Sequence, residues 1–151
     1  LCHPLDYLRW LVGEIREVFA FGGHLSDLEL AVEDTVEISL QFSSGVIGSV
    51  HLDYHQRPPV HTLEIIGTRG TIRWDNADGA VQFSQAGSAW EVIPAPIGFE
   101  RNWMFLEEMR HFIAVCQGLA EPVCTLEDGI RALQVALAAH QSIELGAKVS
   151  L

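Results

Sequence analysis

The chain has 151 residues, 48% of them hydrophobic, with 9 basic and 20 acidic side chains and a formal charge of −11. That is enough apolar chain for one core of domain size and too much for disorder. The acidic surface disfavours nucleic-acid backbones and anionic membranes, and no apolar run reaches the ~18–20 residues of a membrane span.

The first predicted element is a short helix over residues 4–12. Pro4 suits a first helical position, because its missing N–H costs nothing there. His3 is therefore expected at the N-cap. Leu5, Leu8, Leu11 and Val12 recur at helical spacing, and Gly13 is a plausible stop. A first strand is expected from Glu14 to Phe21, ended by Gly22 and Gly23, with a loop around Leu25 to Ala31. The clearest strand follows: Val36, Ile38, Leu40 and Phe42 alternate with Glu37, Ser39 and Gln41, the period of a half-buried strand. Ser43-Ser44-Gly45 is a hairpin turn. On the returning strand, Val46, Gly48, Val50, Leu52 and Tyr54 share one face; Ile47, Ser49, His51, Asp53 and His55 share the other.

Arg57-Pro58-Pro59 interrupts the ladder. Strands resume at Leu63–Ile66, Thr71–Trp74, Val81–Phe83 and Trp90–Ile93, joined by turns at Gly67–Gly70 and Asp75–Gly79. A helix is expected over residues 103–117, with Phe105, Met109, Phe112, Ile113 and Cys116 as its buried stripe and Gly118 at its end. Thr125 and Asp128 resemble a capping box for a last helix reaching Leu145. Leu126, Ile130, Leu133 and Leu137 form one apolar stripe and Ala132, Ala136 and Ala139 a second face, so this helix is expected to be covered on both sides, one cover being the sheet and the other the neighbouring helix or a part missing from this chain. The fold class is α+β: a mostly antiparallel, open-faced sheet of about six strands with helices on one face.

Candidate functional residues are few. The partial positive charge of a helix N-terminus favours a neutral imidazole, the form a general base needs. This makes His3 a candidate base, against the bland alternative of a capping histidine. Asp6, one turn along, either orients His3 or complements the helix dipole. Tyr54, His55 and Arg57 end a strand before the Pro-Pro break, where binding residues often lie. Arg57 could fork onto a carboxylate or phosphate, or be a solvated loop residue. His51 and His55 are about 13 Å apart along a strand at ~3.3 Å per residue, too far for one metal ion, so no metal site is expected. Cys2, Cys116 and Cys124 have no Cys-x-x-Cys spacing and predict reduced thiols in a cytoplasmic protein without a leader segment. Cys116 and Trp103 read as core.

The order His3, Asp6, Leu11, Gly13 resembles the start of the C-terminal domain of the glucose–fructose oxidoreductase / inositol dehydrogenase / MocA family. Gly45–Tyr54, the turn run Glu64–Ile72, and Phe105, Glu108, Phe112, Pro122, Thr125, Asp128-Gly129, Ala132-Leu133 and Ser142 are similar to later parts of that domain. The resemblance implies a single C-terminal domain over residues 1–151 that supplies substrate contacts and an oligomer interface through its open sheet. It also implies that NAD or NADP is bound by an N-terminal Rossmann domain that this chain lacks. No Gly-x-Gly-x-x-Gly stands here, so the chain alone is expected to be inactive and to hold no cofactor. The implied activity is oxidation or reduction of a hydroxyl or ketone on a sugar, inositol or sugar nucleotide. His3 matches the family's catalytic histidine; its companion aspartate and lysine have no counterpart in this sequence. A homodimer or homotetramer is expected. The alternative is a non-catalytic ligand-binding or dimerisation module of the same fold.

Overall fold

In chain order the computed structural model, which describes residues 2–151, contains α1 (His3–Val12), β1 (Ile15–Gly23), β2 (Thr35–Phe42), β3 (Ile47–Asp53), β4 (Thr62–Gly67), β5 (Gly70–Asp75), β6 (Val81–Gln85), β7 (Glu91–Ile93), α2 (Arg101–Cys116), α3 (Leu126–Leu145) and β8 (Val149–Ser150). The chain divides into two compact units. The first runs through His55 and resumes at Val123–Leu151; the second is Gln56–Pro122. The α+β class and the antiparallel pairing are as expected. The strands, however, form two four-stranded sheets, ordered β3-β2-β1-β8 and β4-β5-β6-β7, instead of one sheet of about six. Pro58 and Pro59 lie between the two sheets in sequence, and a residue lacking an N–H cannot donate to a ladder.

In the first unit the alternation in β2 works as written. Ile38, Leu40 and Phe42 are buried, while Glu37 and Ser39 are exposed. The register places Ile38 opposite Val50 and Val36 opposite Leu52, so the apolar face continues onto β3. β1 joins this face through a bulge. Its register slips between Ile15 and Glu17, which lets Ile15, Val18 and Ala20 all turn inward despite their spacing. Leu5 from α1 and Val135, Ala138 and Ala139 from α3 close the core over that face, with Leu8 and Val12 packed at its margin. The opposite face bears Glu37, Ser39, His51, Phe21 and Ile47 and is open, with Ile47 78% exposed.

α3 is covered on one of its two apolar faces, not on both as expected. Its capping box forms, Thr125 accepting from Asp128 N–H while Asp128 accepts from Thr125 N–H, and Gly146 ends it in a left-handed conformation. But Ala132, Val135, Ala138, Ala139 and Ser142 are buried, whereas Leu126, Leu133 and Leu137 are more than half exposed. Closeness of approach decides this. Ser142 Oγ accepts from Ala20 N–H at 2.9 Å and donates to the Ala147 carbonyl at 2.7 Å. A Cβ on Gly22 would lie 2.8 Å from Ile143 Cδ1. Only small side chains fit between backbones so near each other, so the alanine face packs inward and the leucine face outward.

A buried guanidinium fastens α1. Arg9, 7% exposed, donates from Nη2 and Nε to Glu14 at 2.8 and 3.2 Å and from Nη1 to the Asp128 carbonyl at 3.1 Å. The end of α1, the entry to β1 and the first turn of α3 thus meet at one side chain.

The second unit is a meander. Leu63, Trp74 and Val81 stand in register on one face, and Glu64, Arg73 and Gln82 on the other. Gly70 admits no side chain, since a Cβ there would meet the Ser84 carbonyl oxygen at 2.2 Å. α2 buries none of its residues. The expected stripe is present but uncovered: Phe105, Met109 and Phe112 are more than half exposed, Trp103 and Ile113 nearly so. Cys116, expected in the core, is exposed, and no disulfide joins Cys2, Cys116 and Cys124. Apolar spacing fixes which face a helix would bury, not whether its own unit supplies a cover.

Ser142→Ala should destabilise the first unit by about 1–3 kcal/mol, because it strands the Ala20 N–H in a dry interface. Urea unfolding of both proteins measures this, and Ser142→Thr should fare no better, since its extra methyl has no room.

Candidate functional site

α1 carries the candidate base. The helix begins one residue earlier than expected: Cys2 is the N-cap, without a side-chain capping bond, and His3 and Pro4 are the first two helical residues. Pro4 tolerates this because none of the first-turn N–H groups has an intrahelical partner. Asp6 N–H closes the first turn on the Cys2 carbonyl at 3.0 Å. His3 is exposed there. Asp6 lies on the Arg9 side of the helix, 3.9 Å from its Nη1. Six residues at ~1.5 Å each put His3 roughly 9 Å along the axis from Arg9, on a helix too short to hold itself without tertiary contacts.

Tyr54 and His55 follow β3 in the same unit. Tyr54 N–H donates to the Asp34 carbonyl at 3.0 Å. The Asp34 carboxylate is itself buried. It receives Leu25 N–H at 2.9 Å, Ser26 N–H at 3.0 Å, Ser26 Oγ at 2.6 Å and Thr35 Oγ1 at 3.1 Å. Those donors, Leu25 N–H foremost, hold its carboxyl far below the ordinary carboxylate range. The loop between β1 and β2 is thereby fixed to the Asp34 carboxylate, and the exit of β3 to the main-chain carbonyl of the same residue. His55 N–H donates to Asp53 Oδ1 at 2.9 Å. Among the described residues neither His3 nor Asp6 is hydrogen-bonded to Tyr54 or His55. Arg57 belongs to the second unit, where its Nη1 donates to the Gln56 carbonyl at 2.9 Å.

One cluster escaped the sequence reading. On the open face, His51 Nδ1 lies 2.7 Å from Glu37 Oε2 and its Nε2 lies 3.2 Å from Asp53 Oδ2. With a carboxylate at each ring nitrogen, only the imidazolium can donate to both. The Glu37 hydrogen bond, with Asp53 adding to it, raises the His51 pKa above its ordinary value. The signal was available: closing the hairpin at Ser43–Gly45 puts residue 37 opposite residue 51. No group of three or more metal-ligating side chains occurs among the described residues, and no helix there is long and apolar enough to cross a membrane.

Residues 1–73 match the GFO/IDH/MocA C-terminal domain. The chain is 32% identical to the uncharacterized oxidoreductase YrbE of Bacillus subtilis, over 99% of this chain and 46% of that protein. It is 30% identical to the myo-inositol 2-dehydrogenase of Thermotoga maritima, over 99% of this chain and 47% of that protein. The first 73 residues are thus similar to the C-terminal domain of the GFO/IDH/MocA family, and the whole chain to these two oxidoreductases. The chain spans about half the length of these curated relatives. In fold it superposes on levoglucosan dehydrogenase, solved with NADH and levoglucosan, with a TM-score of 0.87 at 20% identity, covering 99% of this chain and 48% of that one. The WlbA dehydrogenase of Bordetella pertussis, solved with NADH and UDP-GlcNAcA, gives 0.75 at 23% identity, covering 99% and 44%.

The residues of this chain do not fit a dinucleotide. Pyrophosphate sites use a helix N-terminus reached through a glycine-rich turn after a parallel strand. Here both sheets are antiparallel throughout. Each helix start carries a carboxylate: Asp6 in α1, Glu100 at the N-cap of α2, Glu127 and Asp128 in α3. An anion approaching any of them meets like charge.

The His51 cluster gives a pH dependence with a definite sign. A raised pKa stabilises the fold fully below the unfolded value of about 6.5 and loses that contribution as pH rises through the folded value. NMR titration should show His51 changing charge above about 6.5. Glu37→Gln should bring the midpoint down, and should narrow the difference in melting temperature between acidic and alkaline buffer.

Proposed function

We propose that this domain is the substrate-facing, self-associating part of a cytoplasmic NAD(P)-dependent oxidoreductase acting on a hydroxyl or ketone of a sugar, inositol or sugar nucleotide. His3 is its proton-handling residue, and Asp6, Tyr54, His55 and Arg57 contact the substrate. The observation that carries this reading is the placement of His3. It stands exposed on the first turn of a helix whose other end is fastened by buried Arg9, at the position where the family resemblance sets a catalytic histidine. The named activities of the relatives, myo-inositol 2-dehydrogenase among them, agree in substrate class.

The chemistry of this chain's own residues is proton transfer and orientation. A carbinol that is oxidised to a ketone must lose its hydroxyl proton, and an imidazole within hydrogen-bond reach accepts it. Tyr54 and His55 leave a strand end that Asp34 and Asp53 immobilise, so their backbone is set before substrate arrives. Arg57 supplies a planar fork suited to a carboxylate or phosphate on the substrate. The cofactor is held by the family's other domain, outside these residues.

In the full-length enzyme His3→Ala should lower kcat by roughly 10²–10⁴, the worth of a positioned acid–base group. Cofactor affinity should be unchanged. The melting temperature should also hold, since an exposed first-turn side chain contributes within about 0.5 kcal/mol. Steady-state kinetics with thermal melts test this, and activity within about threefold of wild type would remove His3 from catalysis.

The open sheet face predicts self-association, because symmetric pairing covers Phe21 and Ile47. Sedimentation at micromolar concentration should give a dimer or larger species, and Ile47→Lys should shift it towards monomer. A wild-type monomer would argue against this interface.

A further inference from the structure

We propose that the cleft between the start of β1, the β2–β3 turn and the middle of α3 binds a small organic anion carrying carboxylate groups. The cleft has a volume of about 360 Å³, within the range of small-ligand pockets, and all its lining residues belong to the first unit. Its chemistry differs from the rest of a chain with net charge −11. Arg16 and Arg131 line it, with the hydroxyl of Ser43 and the amide of Gln134 between them and Ile15 and Val135 as an apolar floor.

Two features point to a ligand. The first is the β1 bulge, in which Arg16 is the extra residue. A bulge bends its strand and re-aims a side chain. This one keeps Ile15 and Val18 in the core and leaves Arg16 at the cleft, where its carbonyl accepts from Leu151 N–H at 2.9 Å. The second is the charge arrangement. Glu14, the one acid in the lining, already has both oxygens engaged: Arg9 donates to each, and Arg131 Nη1 stands 3.5 Å from Oε2. Glu17 accepts from Lys148 at 2.9 Å and is 3.8 Å from Arg16. Arg16 itself donates to a neutral partner, the Gln41 amide oxygen, at 3.0 Å, and Arg131 donates through Nε to Glu127 at 3.0 Å. These contacts leave Nε and Nη1 of Arg16 and Nη2 of Arg131 to donate charge-assisted bonds, the stronger kind, to carboxylates. The floor of Ile15 and Val135 suits the carbon skeleton joining them and gives a bare inorganic ion nothing to pack on. The ligand does not depend on the activity proposed above, and its site shares no residue with His3, Asp6, Tyr54, His55 or Arg57.

The test is titration of the 151-residue chain with citrate at low ionic strength, followed by calorimetry and amide chemical shifts. Sodium chloride at matched ionic strength and inorganic phosphate serve as controls. Citrate should bind saturably with Kd on the order of 0.1–1 mM, as expected for two charge-assisted contacts offset by ordering costs, and should shift the amides of residues 14–16, 43 and 131–135. Gln134→Glu, on an exposed position outside the salt bridges, should weaken binding at least about tenfold by placing like charge in the cleft. Arg131→Gln should do the same by removing one fork. No saturable binding up to about 50 mM citrate, well above the expected range, would overturn the proposal. So would unchanged affinity in Gln134→Glu, a variant expected to melt like wild type, or phosphate binding as tightly as citrate.

Discussion

The buried guanidinium of Arg9 is the constraint on which the first unit turns. An isolated charge in a protein interior is costly, and its cost is recovered only when donors and counter-charge are matched. Arg9 meets that condition with a fork onto Glu14, five residues away, and a bond to the Asp128 carbonyl, across most of the chain. It also sits in the last turn of α1, where the helix dipole favours a cation. Asp128 serves the same joint from the other side, capping α3 through Thr125 while its carbonyl receives Arg9. The ten residues of α1 are too few for a stable helix in isolation. Their position, and so the position of His3, is inherited from this joint.

Charge follows the same economy elsewhere. Asp34 is buried because four donors await it, and His51 is held between two carboxylates that its cationic form can satisfy. All three helix starts carry acids, which suits their dipoles and repels phosphate. Arg16 at the β1 bulge and Arg131 on α3 line one cleft, each with part of its guanidinium already engaged. An acidic chain can therefore turn away nucleic acid yet keep a local place for a small anion.

Much of this was legible in the sequence. Alternation in β2, the Ser43–Gly45 turn and the Gly67–Gly70 turn are local patterns, and local patterns read locally. The capping box at Thr125 and Asp128 is a stereochemical unit and formed as expected. What stayed hidden depends on partners distant in sequence. The face that α3 buries was set by the approach of Ser142 to Ala20, not by the greater hydrophobicity of leucine. Whether strands after Pro58 and Pro59 rejoin the first sheet is a tertiary choice that no period of two records. β8 has two residues, too few for any pattern; it exists because Val149 and Ser150 find the outer edge of β1. At the candidate site the sequence identified α1 and the β3 exit. It missed Arg9 and Asp34, which hold them, because a buried charge looks like a surface one until its partners are known.

The Ser142 bond also bears on how this sheet avoids sticking to others. β8 covers β1 only at Glu17 and Val18, and further along the strand an unpaired N–H would be a template for a foreign strand. The Ser142 hydroxyl occupies that N–H at Ala20 from a helix, which cannot extend a ladder. A foreign strand extending along β1 beyond β8 would meet that hydroxyl in place of a free donor at Ala20. The same bond that sets the depth of α3 thus also interrupts the edge against which another strand could register.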